Sequence, residues 1–149
     1  MTQVIESNSH TFHSQSLADT DRIGKRIAQD LIMPACVYLE GELGAGKTTL
    51  CKSIIQSLGY QGEVTSPTYN LIQEYVVDNG VVYHMDLYRL NSPEELEFLA
   101  IEDLWSDKSI FLIEWSSKGG PLLQEATHQI AIVNELMTQF NKHITLTKL

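Results

Sequence analysis

Ten lysines and arginines against nineteen aspartates and glutamates give this 149-residue chain a formal net charge of −9. The length corresponds to one domain, and 43% hydrophobic with 19% charged residues is the composition of an ordinary globular protein, not of a disordered or fibrous one. An acidic chain repels phosphate backbones, which argues against direct binding of DNA or RNA.

The cysteines and the first residues indicate the compartment. Cys36 and Cys51 lie far apart with no CxxC pattern, so we interpret both as buried thiols and not as a disulfide framework. The start MTQVIESNSH has neither the basic region nor the apolar stretch of a signal peptide, and no run approaches the length of a membrane span. We therefore expect a cytoplasmic protein.

The first part of the chain predicts a helix, then a strand, a glycine-rich turn and a second helix. Residues 1–15 are polar and are expected to be poorly ordered or to form a short strand. Helical spacing of Leu17, Ile23, Ile27 and Leu31 predicts a helix, capped by Asp19 or Thr20. A short apolar run after a proline predicts a buried strand at 36–39, which a turn at 41–46 and a helix from Lys47 to about Leu58 follow.

In the second part of the chain, the spacing of apolar residues changes from that of helices to that of strands. Two β-rich runs, 71–77 and 81–88, flank Asp78-Asn79-Gly80 and predict an antiparallel hairpin. Ser92-Pro93-Glu94-Glu95 has the composition of a helix start, and we expect that helix to continue to about Trp105. An apolar strand at 109–113 ends in Glu114, and alternating residues predict two further strands at 129–136 and 143–149.

The glycine-rich turn carries the main functional signal. Residues 41–48, GELGAGKT, fit the phosphate-binding pattern GxxxxGK(S/T) and lie between an apolar strand and an amphipathic helix. In such a loop backbone N–H groups wrap the phosphates, the lysine reaches the β- and γ-phosphates, and the hydroxyl ligates Mg²⁺. The alternative is an ordinary turn with a surface lysine. The predicted nucleotide contacts are Gly41, Leu43, Gly44, Ala45, Gly46, Lys47, Thr48 and Thr49.

A bound magnesium nucleotide needs a second anchor, and Glu114 stands where a Walker B acid would be expected. It follows an apolar strand, and strand ends in open α/β sheets face the ligand crevice. Aspartate is usual at this point, so Glu114 could hold Mg²⁺ through water or polarise the attacking water. The alternative is an acid that only ends a strand. Together these features predict a single-domain α/β protein of the P-loop NTPase fold, with a mostly parallel central sheet flanked by helices.

Two other segments offer candidate ligands. His84 and Asp86 lie two apart on a strand and share a face, while Tyr83 and Met85 point to the other. A hydrogen-bonded histidine is a better interpretation than a zinc site, and Asp86 suits an outer-sphere contact to Mg²⁺. The loop TSPTY at 65–69 could be a switch that follows the γ-phosphate or a turn held by proline.

Absent residues narrow the chemistry. A nucleotide or nucleoside kinase uses several arginines on its second substrate, and this chain has only Arg22, Arg26 and Arg89. The guanine-specifying Asn-Lys-x-Asp is missing, because Asn141-Lys142 is followed by His143-Ile144. We therefore favour an adenine nucleotide and a minimal ATPase, to whose chemistry we assign Lys47, Glu114 and Asp86. A small-molecule kinase and a nucleotide-sensing binding module remain the alternatives.

The segments GELGAGKTTL, TSPTY, YHMDLYRL, PEELEF and LIEW occur in an order and spacing that resembles the TsaE (YjeE) family. That resemblance implies an ATPase of bacterial tRNA threonylcarbamoyladenosine biosynthesis that uses ATP and Mg²⁺. It implies Thr48 and Glu114 as Mg²⁺ ligands and Thr65 and Ser66 as part of a switch-like loop. Asp86 and Trp115 would line the nucleotide site.

The resemblance also implies partners. TsaE-like proteins act with TsaB and TsaD, and TsaD transfers the threonylcarbamoyl group to an adenosine beside the anticodon. The ATPase would support repeated turnover of that complex without being the transferase, and would meet tRNA only through it. A net charge of −9 agrees with an indirect tRNA contact. With no clear arginine finger besides Arg89, the enzyme would be slow alone and stimulated by a partner.

Overall fold

The computed structural model describes residues 8–67, 71–135 and 141–149. They form seven strands, four α-helices and two short 3-10 turns. The strands are β1 (Ser9–Ser14), β2 (Ala35–Glu40), β3 (Ile72–Val77), β4 (Gly80–Asp86), β5 (Ser109–Glu114), β6 (His128–Asn134) and β7 (Lys142–Lys148). The helices are α1 (Leu17–Asp30), α2 (Lys47–Ser57), α3 (Glu95–Phe98) and α4 (Ile101–Leu104), and the 3-10 turns are Ser116–Lys118 and Gly120–Leu122.

All seven strands belong to one mixed sheet in the order β1-β7-β6-β2-β5-β4-β3. The central four, β6-β2-β5-β4, are parallel to one another. Antiparallel pairs close both edges: the predicted hairpin β3–β4 on one side, and β6–β7–β1 on the other. The predicted α/β architecture is confirmed, with the parallel part confined to the centre of the sheet.

The two faces of the sheet carry separate hydrophobic cores. Helices α1 and α2 pack one face, where Ile27 and Ile54 meet inward residues of the strands such as Leu112. The short helices α3 and α4 cover the other face around Phe111. Strand β5 is buried along its whole length because both of its faces are covered. This explains why its sequence is a continuous apolar run without alternation.

Helix α1 begins differently from the prediction. Its N-cap is Ser16, whose hydroxyl accepts from the Asp19 N–H at 3.1 Å, so neither Asp19 nor Thr20 caps it. Leu17 is 69% exposed and lies outside the buried face, which starts one turn later at Thr20. Thr20 is buried there because its hydroxyl hydrogen-bonds to that of Ser14 at the end of β1.

The predicted helix from Ser92 to Trp105 is wrong as one element. It is broken into α3 and α4 by Ala100, whose backbone is left-handed with φ +50°. Leu96 and Ile101 are both buried. In one straight helix, two residues five positions apart would point in different directions. The left-handed residue turns Ile101 back to the core. Ser92 contributes its carbonyl to the Glu95 N–H, and the N-cap residue of α3 has no side-chain cap.

The remaining predictions for local structure agree with the structure to within a few residues at the ends of the elements. Part of the polar start forms a short strand, β1, while residues 1–7 lie outside the described chain. Strand β6 ends at Asn134, and Leu136, with which the prediction ended it, is also outside. Cys36 and Cys51 are buried free thiols. In the described parts of the chain, no helix has the length and apolarity needed to cross a membrane.

Candidate nucleotide site at the carboxyl ends of the central strands

The glycine-rich loop connects β2 to the first turn of α2. Gly44 and Gly46 have positive φ, +81° and +102°, which only glycine adopts without strain. Gly46 is the N-cap of α2 and offers no side chain, so it leaves the first N–H groups of the helix without a side-chain cap. Free N–H groups and the positive end of the helix dipole make this turn suited to an anion.

Lys47 is folded back onto the loop. Its Nζ donates to the Gly41 carbonyl at 2.6 Å and lies 3.8 Å from the centre of the Trp115 ring. Only 5% of the residue is exposed, and this desolvation lowers the pKa of the ammonium, although Glu114 and Asp86 oppose the shift. A poorly solvated cation beside free N–H groups is an electrostatically favourable place for a phosphate.

Thr48 and Glu114 meet at this site, as the sequence predicts. The Thr48 hydroxyl lies 3.1 and 3.2 Å from the two carboxylate oxygens of Glu114 and donates to them. Glu114 ends β5 and pairs with Leu39 at the end of β2, so the parallel register delivers the acid next to the loop. That Glu114 serves as the Walker B acid stays a prediction.

Asp86 ends the neighbouring strand β4 and pairs directly with Glu114. The Tyr88 N–H donates to Asp86 Oδ1 at 3.1 Å. Burial raises the pKa of the Asp86 carboxyl, and the nearby Glu114 adds to the increase. Hydroxyl and carboxylate oxygens from Thr48, Glu114 and Asp86 line one cavity of about 320 Å³. Oxygen donors of this kind fit Mg²⁺, which prefers them to nitrogen or sulfur.

His84 is fully buried and lies next to Glu114. Its Nε2 lies 2.6 Å from Glu114 Oε2, which supports the interpretation as a hydrogen-bonded histidine. Because the carboxylate accepts, the shared proton belongs to Nε2, and Nδ1 has no partner among the described residues. The Cys51 thiol also lies close by, with its pKa raised by burial. Tyr83 and Met85 point to the opposite core, as predicted.

Trp115 forms one wall of the site. It follows Glu114 with a left-handed backbone, φ +59°, and its ring packs against Tyr88 at a centroid distance of 5.0 Å as well as against Lys47. The structure therefore brings together Lys47, Thr48, Asp86, Glu114 and Trp115. Leu43, Gly44, Ala45, Gly46 and Thr49 line the same cavity, while Gly41 lies at its base through its contact with Lys47.

Thr65 and Ser66 are not among the residues that line this cavity. The Tyr75 hydroxyl on β3 accepts from the Thr65 N–H at 3.2 Å and donates to the Thr65 carbonyl at 3.0 Å. This tie holds the loop against the hairpin. Thr68 and Tyr69 lie outside the described residues, so the switch remains a prediction.

Sequence reasoning missed Lys142, at the start of β7. A Cβ placed on Gly46 would come within 2.6 Å of Lys142 Nζ, so this ammonium lies directly against the phosphate loop. Beyond it, on the side of β6, a second cavity of about 740 Å³ is lined by Gly41, Ala45, Ile132 and their neighbours. No local signal marks Lys142, because only the antiparallel return of β7 brings it to the loop.

A parallel-centred sheet with a glycine loop between a buried strand and a helix, and an acid at the end of the adjacent strand, defines the fold of a P-loop NTPase. A profile of the family described as "Threonylcarbamoyl adenosine biosynthesis protein TsaE" matches residues 14–143. The chain belongs to the TsaE family.

Individual relatives agree with this assignment. The tRNA threonylcarbamoyladenosine biosynthesis protein TsaE of Haemophilus influenzae is 51% identical over 110 residues, which cover 70% of this chain and 70% of the relative. The protein of that name from Treponema pallidum is 34% identical over 135 residues, covering 89% of this chain and 96% of the relative. The crystal structure of Bacillus subtilis YdiB matches with a TM-score of 0.74 and 27% identity, covering 94% of this chain and 85% of that one.

Proposed function

We propose that this chain is a Mg²⁺-dependent ATP hydrolase that acts in the cytoplasm in tRNA threonylcarbamoyladenosine biosynthesis. The observation that carries the proposal is the contact of Thr48 with Glu114 at the N-terminus of α2. A hydroxyl and a carboxylate beside a phosphate loop are the two protein groups that P-loop hydrolases use to hold Mg²⁺ on a nucleotide.

The phosphates of ATP would bind the loop N–H groups and Lys47. To reach them, Lys47 exchanges its contact with the Gly41 carbonyl for phosphate oxygens, which are stronger partners for a cation. Lys142 lies against Gly46 and adds positive charge on the other side of the loop. Two cations compensate part of the charge of the triphosphate inside an otherwise acidic protein.

Thr48 and Glu114 would hold Mg²⁺ directly, with Asp86 in its outer sphere. When bound, Mg²⁺ neutralises charge that develops on the phosphate oxygens during phosphoryl transfer. His84 donates to Glu114 and fixes the direction of its carboxylate. In the reaction a water oxygen would bond to the γ-phosphorus as the bond to the β–γ bridging oxygen breaks. ADP leaves, one proton of the water stays on the phosphate, and the other is released to solvent.

We propose that the adenine base binds on the opposite side of the loop. The cavity of about 740 Å³ between the loop and the end of β6 is walled by Ala45, Ile132 and Val133 and is large enough for an adenine ring. Its apolar wall suits stacking of a base, and Asn134 and Glu135 supply polar groups at the rim. This side lies away from Glu114, as the extended shape of a nucleotide requires.

We further propose TsaB and TsaD as partners. A net charge of −9 disfavours direct binding of tRNA, so a protein complex would mediate the contact with tRNA. Arg89 follows Tyr88, which lines the cavity of the site, and the other two arginines, Arg22 and Arg26, lie on helix α1. A site so poor in arginine would hydrolyse ATP slowly alone and faster in the complex.

The test is ATP turnover by purified wild type and by Lys47→Ala, Thr48→Ala and Glu114→Ala, with and without TsaB and TsaD. Each variant should lose about 100-fold or more in turnover. Lys52→Ala on the same helix is the matched control and should keep the wild-type rate. Wild-type rates in Thr48→Ala and Glu114→Ala would overturn the assignment of the site.

Two outcomes would favour other functions. Tight ATP binding without turnover in any setting would favour a nucleotide-sensing module. Transfer of the γ-phosphate to an acceptor other than water in a phosphoryl-acceptor screen would favour a kinase. A pull-down of TsaB and TsaD that does not change with nucleotide would contradict nucleotide control of the assembly.

A further inference from the structure

The strands β1, β7 and β6 bring three potential metal ligands to one outer face of the sheet, away from the phosphate loop's Mg²⁺ ligands. His13 on β1 is directly opposite His143 on β7. His143 is in turn opposite Val133 on β6. Glu135, two residues after Val133, therefore projects to the same face as a diagonal neighbour of His143, within reach of a long side chain.

The side chains of this cluster already contact one another. The rings of His13 and His143 stack with centroids 4.9 Å apart and planes at 10°. His143 Nε2 lies 2.8 Å from Glu135 Oε1. One donor atom of each residue lies within 4.8 Å of the others. Ligands of a tetrahedral ion with bonds of about 2.1 Å are roughly 3.4 Å apart, so modest side-chain rotations would close the site.

Such rotations are accessible because the side chains are not packed in place. The His143 and Glu135 side chains are 44% and 47% exposed, and His13 is exposed as well. The backbone beneath them is fixed by the antiparallel ladder, and the Glu135 N–H donates to the Asn141 carbonyl at 2.8 Å. The backbone therefore holds the three residues together, and ion binding would cost the conformational entropy of ordering their exposed side chains.

We infer that His13, Glu135 and His143 form a binding site for a late first-row divalent cation, with Zn²⁺ the natural occupant. Two imidazole nitrogens and one carboxylate match Zn²⁺, and water completes the tetrahedron. Mg²⁺ and Ca²⁺ prefer oxygen donors, so this site and the nucleotide site select different ions. The net charge of −9 also raises the local concentration of cations.

The ion would connect the first strand with the wall of the large cavity beside the phosphate loop. Glu135 lines that cavity together with Asn134 and Val133. A bound ion would hold Glu135 toward β1 and β7 and so fix one side of the cavity. This inference does not depend on ATP hydrolysis, because none of the three ligands holds Mg²⁺ or the phosphates in the proposed function. Only Glu135 is shared with it, at the rim of the cavity proposed for adenine.

The test is a Zn²⁺ titration of the purified full chain, competed against a chromophoric chelator, in wild type, His13→Ala and His143→Ala. One ion should bind per chain, with the affinity reduced about tenfold or more in each variant. His10→Ala is the matched control, because His10 is an exposed histidine on the same strand whose ring packs on Phe12. It should bind Zn²⁺ as wild type does.

The identity of the ligands is checked with Cu²⁺ and Co²⁺. Electron paramagnetic resonance of the Cu²⁺ form should show coupling to imidazole nitrogens that weakens in His143→Ala. A thiolate charge-transfer band in the Co²⁺ form, lost in Cys51→Ser, would place the ion at the buried group of Cys51, His84 and Glu114 and would overturn the inference. Unchanged Zn²⁺ affinity in His13→Ala and His143→Ala, or no saturable binding, would also overturn it.

Discussion

Gly24 is the position where one methyl group should separate α1 from α2, the helix that begins at the phosphate loop. It lies on the buried face of α1 against α2. A Cβ on Gly24 would lie 2.5 Å from Ser53 Cβ and well inside contact distance of Ser53 Oγ. The Ser53 hydroxyl cannot swing away freely, because it donates to the Asp21 carbonyl at 2.8 Å and also contacts the Asp21 carboxylate.

The magnitude follows from that geometry. Carbon atoms pack at about 3.5–4.0 Å, so Gly24→Ala requires the helices to separate by about 1 Å or more. Overpacking of this kind costs about 1–3 kcal/mol, and the clash with a backbone-attached Cβ puts it near the upper end. Alanine gains about 1 kcal/mol over glycine in a helix, which leaves a net loss of about 2 kcal/mol. For a chain of this length the melting temperature should fall by about 4–8 °C.

Thermal and urea unfolding of four proteins tests this reasoning: wild type, Gly24→Ala, Ser53→Gly and the double variant. Ser53→Gly removes both clashing atoms and loses the hydrogen bonds to Asp21, at a cost of about 1–2 kcal/mol. In that background Gly24→Ala should no longer destabilise and should raise the melting temperature. Additive effects of the two substitutions, or a Gly24→Ala variant as stable as wild type, would refute the close contact as the cause.

Three further predictions concern the site. Burial raises the pKa of Asp86, so the folded chain holds the carboxyl proton more tightly than the unfolded chain does. The stabilisation that this proton gives is complete below the ordinary pKa of about 3.9 and is lost as the pH rises through the raised pKa. In Mg²⁺-free buffer Asp86→Asn should therefore raise the melting temperature at neutral pH and lose this advantage near pH 4, and a gain that does not vary with pH would contradict it. In a Trp105→Phe protein the emission of Trp115 should change when Mg·ATP displaces the ammonium over its ring, whereas an unchanged spectrum at saturating nucleotide would argue against that displacement. Lys142→Met should weaken ATP binding about tenfold by calorimetry while Lys148→Met does not, and equal affinities would exclude a phosphate contact.

Local sequence signals predicted that the glycine loop and Glu114 lie together. The pattern GxxxxGK(S/T) has a physical reason at each position, and the glycines with positive φ at Gly44 and Gly46 are where the pattern requires them. Glu114 was found because a buried strand and the acid that ends it are adjacent in sequence. Its contact with Thr48 follows from the parallel register of neighbouring strands, which brings their carboxyl ends together.

Local signals were weaker where the chain departs from regular periodicity. The segment from Ser92 to Trp105 contains no local signal for a left-handed residue at Ala100, because alanine is a good helix former. Only the burial of both Leu96 and Ile101 requires the chain to turn there. The cap of α1 is Ser16 and not Asp19 or Thr20 for a similar reason. All three residue types can cap a helix, and the packing of Thr20 against Ser14 decides between them.

The sequence by itself determined the order of elements and the loop chemistry, since a glycine loop, an apolar strand and a helical face depend on neighbours a few residues apart. Only the tertiary structure decided which distant side chains join them. Lys142 reaches the phosphate loop, His84 holds Glu114, and His13 meets His143 because strand order and register bring them together. Pairing between strands far apart in the chain depends on burial of the whole sheet, and no local pattern encodes it.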